Sequence, residues 1–131
     1  MYMLDTNICI YLINSKCPNL ARKITDISNN NIYVSAITQC ELEYGVAKSR
    51  NPVKNARALT KFLSVLNVIS FDTAAAEAYG EIRAYLECKG HIIGNMDMLI
   101  AAHAKSKGFT VVTNNTREFE RINGLKLENW V

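Results

Sequence analysis

Short apolar runs alternate along the chain with stretches in which apolar residues recur every three or four positions. Met1–Leu4 is an apolar run ending at Asp5. Thr6–Ile13 continues as a helix with Ile10 and Ile13 on one face. Asn14–Asn19, with Pro18, predicts a turn. Leu20–Ser28 reads as a second helix, broken by Asn29-Asn30-Asn31. Ile32–Val34 is a β-branched and aromatic strand, and Ala36–Lys48 is helical, with Ile37, Cys40 and Tyr44 on one side. Asn51-Pro52 opens the next helix, because Asn caps and Pro fits the first turn without losing a hydrogen bond. That helix runs to about Leu66, with Leu59, Phe62, Leu63 and Leu66 inward. Val68–Phe71 is a strand. Asp72 caps a long helix to Lys89, stopped by Gly90. Asn95 caps Met96–Lys107, stopped by Gly108. Phe109–Val112 is a strand, Thr116–Arg121 a short helical turn, and Leu125–Leu127 a last brief strand.

Strands this short, separated by helices, predict an α/β fold: three layers, α/β/α, around a parallel sheet of four to five strands. The 131 residues suit one domain, residues 1–131. In such folds ligands bind outside the carboxyl ends of the strands, where strand order reverses.

Composition narrows the class. Hydrophobic residues make up 49% and charged residues 21%, which excludes a disordered chain. No apolar run, Met98–Ala102 included, is long enough to span a membrane, and the first fifteen residues hold Asp5 and no basic residue, unlike a signal peptide. A cytoplasmic protein is expected. Cys9, Cys17, Cys40 and Cys88 form no C-x-x-C pair, so free buried thiols are expected rather than zinc ligands. The net charge of +3 is uneven: residues 1–65 carry +4 and residues 66–131 carry −1. Between Tyr44 and Phe71 stand Lys48, Arg50, Lys54, Arg57 and Lys61, with no acid. Such a stretch is either a solvated helix face or a surface that attracts phosphate.

Four carboxylates fall where the strand-end rule points. Asp5 follows the first strand, Glu41 lies early in the helix after the second, Asp97 opens the helix before Phe109–Val112, and Glu118 follows that strand's loop. Each has a purely structural reading. Asp5 suits an N-cap, Thr38-x-x-Glu41 and Asn115-x-x-Glu118 have capping-box spacing, and Asp97 suits a helix dipole. Asp72 and Glu77 share that placement and are read as structural. Jointly the four acids say more. Two carboxylates about 5 Å apart repel by roughly 3 kcal/mol at an effective dielectric of 20. Four together call for a cation, and oxygen ligands without His or Cys at ligand spacing select Mg²⁺ or Mn²⁺. That chemistry suits phosphoryl hydrolysis.

The same residues resemble a known family. Met3-Leu4-Asp5-Thr6-Asn7-Ile8-Cys9-Ile10 is similar to the first strand and helix of PIN domains, especially VapC-type toxins of bacterial toxin–antitoxin pairs. Ser35–Gly45, Ile93–Ala104 and Val111–Arg121 resemble their second, third and fourth acidic motifs, and Gly124–Trp130 their ending. The resemblance covers nearly the whole chain. It implies a Mg²⁺-dependent endoribonuclease, with Mn²⁺ able to substitute, and an acid cluster of Asp5, Glu41, Asp97 and Glu118. In the family the positions of Asp5 and Asp97 contact metal most directly. Glu118 stands where many PIN domains have Asp, and Glu120 is the alternative fourth acid. Thr113 matches a hydroxyl that orients water at the metal, and Asn7 and Asn114 match supporting donors. The resemblance further implies a tRNA substrate cut in the anticodon loop, initiator tRNA foremost. A VapB-type antitoxin would inhibit the enzyme, and a homodimer would join a larger toxin–antitoxin assembly. Lys48, Arg50, Lys54 and Arg57 are the expected RNA contacts. The apolar positions between them (Val53, Ala56, Leu59) could instead receive an antitoxin helix.

Three other readings compete. A phosphoacceptor signalling domain shares the strand-end acids, but needs paired acids at the first strand and a Lys after the last. Tyr2-Met3-Leu4-Asp5 and Thr113-Asn114-Asn115 offer neither. A metal-independent ribonuclease would use His91 and His103, yet His103 lies on an Ala-rich face that suits a packed histidine. A catalytically silent PIN-like binding module would not need the full acid set.

Overall fold

In a computed structural model describing Met1–Val131, five parallel strands form one sheet in the order β3-β2-β1-β4-β5. They are β1 (Tyr2–Leu4), β2 (Ile32–Ser35), β3 (Asn67–Ile69), β4 (Thr110–Val112) and β5 (Leu127–Glu128). Helices α1 (Thr6–Ile13), α2 (Pro18–Asp26), α3 (Ala36–Ala47) and α4 (Pro52–Ser64) follow the first two strands. Helices α5 (Thr73–Lys89) and α6 (Asn95–Lys107) precede β4, and α7 (Thr116–Phe119) follows it. The chain leaves β1 towards β2 and β3 on one side, then returns to β4 and β5 on the other. The order therefore reverses beside β1, and the crevice between the carboxyl ends of β1 and β4 is the switch point.

Side-chain alternation along the strands builds the layers. Met3 and Val111 face one side and pack with Ile82, Leu86, Ile100 and Phe119 under α5 and α6. Their neighbours Leu4 and Val112 face the other and pack with Ile8, Leu20, Leu42 and Leu59 under α1–α4. Full burial of each such side chain contributes about 1.5–3 kcal/mol. Both faces are covered, so the strands are apolar throughout, as parallel strands require. The expected α/β fold with a parallel sheet is the fold observed. No helix is long and apolar enough to cross a membrane.

Boundaries differ in instructive places. Helix α2 begins at Pro18 itself, with Cys17 as its cap residue, because Pro is pre-set for the first turn. Gly94 caps α6, whereas Asn95 is already helical and its side chain accepts from the Tyr79 hydroxyl instead. Strand β5 lies at Leu127–Glu128, later than expected, since its ladder is fixed by Val111 and Val112 of β4. Helices α5 and α6 end at Gly90 and Gly108, whose φ of 68° and 72° are left-handed and favour glycine. All four cysteines are free, but only Cys9 is buried; Cys40 and Cys88 are exposed.

Candidate active site

Asp5 is the first residue past β1, and its backbone N–H donates to Val112 O at 3.1 Å. That bond seats it between the ends of β1 and β4. Its Oδ1 accepts from Ile8 N–H at 2.9 Å, so it caps α1, as its structural reading required. It is nevertheless 4% exposed, and capping alone does not explain burial of a carboxylate. Burial pushes its pKa up. Hydrogen bonds from Thr113 and Ile8 pull it down, and Glu41 raises it again.

Glu41 lies in the second turn of α3. The capping-box reading fails there, because Ser35 is the N-cap and its Oγ accepts from Ile37 N–H at 3.1 Å. The Glu41 carboxylate instead accepts from the hydroxyl of Thr6, which also approaches the Thr38 hydroxyl at 3.4 Å. Thr38 is fully buried, so the start of α3 is anchored against the start of α1.

Asp97 is the third residue of α6 and is half-buried. Its pKa is pushed up to about 6, first by burial and then by the charges of Asp5, Glu118 and Glu41. One carboxyl thus feels the other three. Glu118 lies on α7, and its Oε2 accepts from Asn115 Nδ2 at 3.1 Å. Asn115 makes no side-chain bond to its own helix end, so the capping reading fails here too. Glu120, the alternative fourth acid, is exposed and is not among the charges acting on Asp97.

Asp5 thus lies at the switch-point crevice, and the charges of Asp5, Glu41 and Glu118 all reach Asp97. No three His, Cys, Asp or Glu side chains converge at ligand distance on one point. What unites the acids is electrostatic reach. Mg²⁺ keeps several of its waters and contacts one or two carboxylates, so an all-oxygen set with excess negative charge fits it. Asp5 and Asp97 would hold such an ion.

The other expected site residues divide. Thr113 is fully buried, bonds to Asp5, and accepts from Asn115 N–H at 2.9 Å. Asn7 and Asn114 are exposed and donate to none of the acids; Asn115 does instead. Thr6 was not anticipated, since its partner lies 35 residues away and no local pattern encodes that contact. His91 is exposed, while His103 is fully buried with its ring edge-on to Phe71 at 5.3 Å. The pair is no general acid–base couple open to substrate.

Lys48, Arg50, Lys54, Arg57 and Lys61 are exposed, and none is paired with a carboxylate. The only ion pairs are Arg83–Glu87 and Lys107–Asp72. A groove of about 250 Å³ runs between α1, α3 and α4, from Glu41 past Gly45 to Asn55 and Leu59.

A doubly wound parallel sheet with acids in electrostatic reach of one another beside its switch point fits one class: an α/β domain of the carboxylate-centred PIN type. The PIN-domain model matches residues 2–125, and the chain belongs to the PIN-domain family, in its VapC branch. It is 48% identical over 131 residues to ribonuclease VapC2 of Rickettsia felis, covering 99% of this chain and 98% of that one. It is 44% identical over 129 residues to the tRNA(fMet)-specific endonuclease VapC of Shigella flexneri, covering 98% and 97%. Among solved structures, VapBC2 of Rickettsia felis bound to a promoter DNA fragment matches with a TM-score of 0.94 and 46% identity, over 99% and 98% of the two chains. DNA-bound VapBC of Salmonella typhimurium matches at 0.95 and 44%, over 99% and 98%.

Proposed function

We propose that the protein is the toxin of a type II toxin–antitoxin pair, a Mg²⁺-dependent endoribonuclease working in the cytoplasm. The observation that carries this reading is the buried Asp5 carboxylate seated between the ends of β1 and β4, with the charges of Asp5, Glu118 and Glu41 all acting on Asp97. Relatives named as ribonucleases and as tRNA(fMet)-specific endonucleases support the substrate class. The substrate proposed is a tRNA, initiator tRNA foremost, cut in its anticodon loop, where single-stranded backbone can be splayed into a crevice.

A bound Mg²⁺ would supply positive charge against the phosphate and acidity for the attacking water and the leaving oxygen. Asp5 and Asp97 would hold it. Asp5 is oriented for this by Ile8 N–H and Thr113, so its carboxylate loses little freedom on binding. Glu41, held by Thr6, and Glu118, held by Asn115, would flank the crevice, where a carboxylate can accept the proton of the attacking water. In-line attack at phosphorus leaves a 5′-phosphate and a 3′-hydroxyl. Lys48, Arg50, Lys54 and Arg57 would hold RNA phosphates.

The solved relatives are VapBC complexes, which supports a VapB-type antitoxin as partner; inhibition by that antitoxin and a homodimer within a larger assembly are part of the same proposal. Sequencing RNA ends after brief induction tests the reading, with wild type and Asp5→Ala in parallel. New ends within the initiator tRNA anticodon loop, absent with Asp5→Ala, are expected. Identical RNA ends in both cultures would show a silent binding module instead.

A further inference from the structure

His103 sits on α6 six residues after Asp97, and Ser35 caps α3 six residues before Glu41. The imidazole Nδ1 lies 2.7 Å from Ser35 Oγ, and both side chains are fully buried. Each acid is thus about 9 Å along a rigid helix from this one contact. Ser35 Oγ already accepts from Ile37 N–H at 3.1 Å, so its own proton is free to go to Nδ1. The ring proton then falls on Nε2, which has no well-formed hydrogen bond and only the Ser70 backbone as a weak partner. The ring is kept neutral by burial. Asp72 and the Ser70 backbone favour its charged form and Lys107 opposes it. Asp72 and Lys107 are themselves paired at 2.7 Å.

An apolar side chain would fill this Ala-rich face without burying a weakly partnered nitrogen. Packing alone therefore does not account for a histidine here. Thr6 fastens the start of α3 to α1, but only the Ser35–His103 bond joins side chains of α6 and the α3 cap. We propose that His103 is a positioning residue, which through Ser35 fixes the separation of Glu41 and Asp97 and so the shape of the cation and phosphate site. This inference rests on the ribonuclease reading above.

The test uses full-length His103→Leu, Ser35→Ala, the double variant and His103→Asn, whose Oδ1 can accept from Ser35 in place of Nδ1. Cleavage kinetics are measured alongside Mn²⁺ affinity by calorimetry without RNA, with thermal melts reporting the folded fraction. The expected result is about a tenfold loss of kcat with KM unchanged in each single loss variant. The double variant should be no worse, Mn²⁺ binding should weaken severalfold, and His103→Asn should recover both. Wild-type Mn²⁺ affinity in folded His103→Leu would overturn the positioning role, as would losses that merely add in the double variant. Wild-type protein that binds Mn²⁺ but cuts no RNA would sink the ribonuclease reading alone, while the Mn²⁺ comparison would still judge His103.

Discussion

The Thr6 hydroxyl donates to the Glu41 carboxylate, so the residue beside the first acid holds the second across 35 positions of sequence. Two helix starts are pinned by one bond. Thr6→Val keeps the shape and removes the donor. It is expected to cost about tenfold in kcat, which is roughly 1.4 kcal/mol, with a stability loss of about 1 kcal/mol or less. Cleavage assays and thermal melts on the same preparation check the split.

Asp97 makes stability depend on pH. Its folded pKa of about 6 lies above the ordinary 3.8. A raised pKa means that the folded state binds the proton more tightly. The stabilisation is fully present below 3.8 and is lost as pH rises through 6. Melting temperature should therefore rise as pH falls from 7 to 5, by an amount on the order of 1 kcal/mol or roughly 4 °C. Asp97→Asn should flatten that part of the curve. Equal slopes in both proteins would place the effect elsewhere.

The same group should shape activity. At limiting Mg²⁺, cleavage is expected to fall with a midpoint near pH 6, because the ion competes with the proton on Asp97. Raising Mg²⁺ should move the midpoint lower. A midpoint independent of Mg²⁺ across a wide range would separate the proton from the ion.

Removing divalent cations with EDTA should abolish cleavage, and Mg²⁺ or Mn²⁺ should restore it. Activity that persists in EDTA would revive a histidine-based mechanism, despite the burial of His103.

The exposed basic stretch is expected to contribute binding rather than chemistry. Lys54→Ala with Arg57→Ala should weaken RNA binding and raise KM with little change in kcat. The slope of log affinity against log salt should fall by about 1.4 for two lost phosphate contacts on single-stranded RNA. Binding measured from 50 to 300 mM salt is the check.

Much of the fold was legible because both its periods are local. Met3-Leu4 and Val111-Val112 read as strands, the Gly90 and Gly108 stops marked helix ends, and Thr6–Ile13 matched to the residue. Strand β5 was placed too early, because only its pairing with β4 fixes the register. The four acids could be found from strand-end placement, and their motifs resembled a family. Their supporting cast could not be found that way. Thr6 to Glu41 and Ser35 to His103 are contacts between elements, and spacing within one element carries no trace of them. Asn115 displaced Asn114 as a donor through the geometry of a single turn, in which Thr113 accepts from Asn115 N–H.

The acids arrive in order along the chain, Asp5 between β1 and α1, Glu41 on α3, Asp97 on α6 and Glu118 on α7. During translation a growing polypeptide therefore lacks its full negative set until Glu118 has been added, and no fragment that stops short of it carries all four acids.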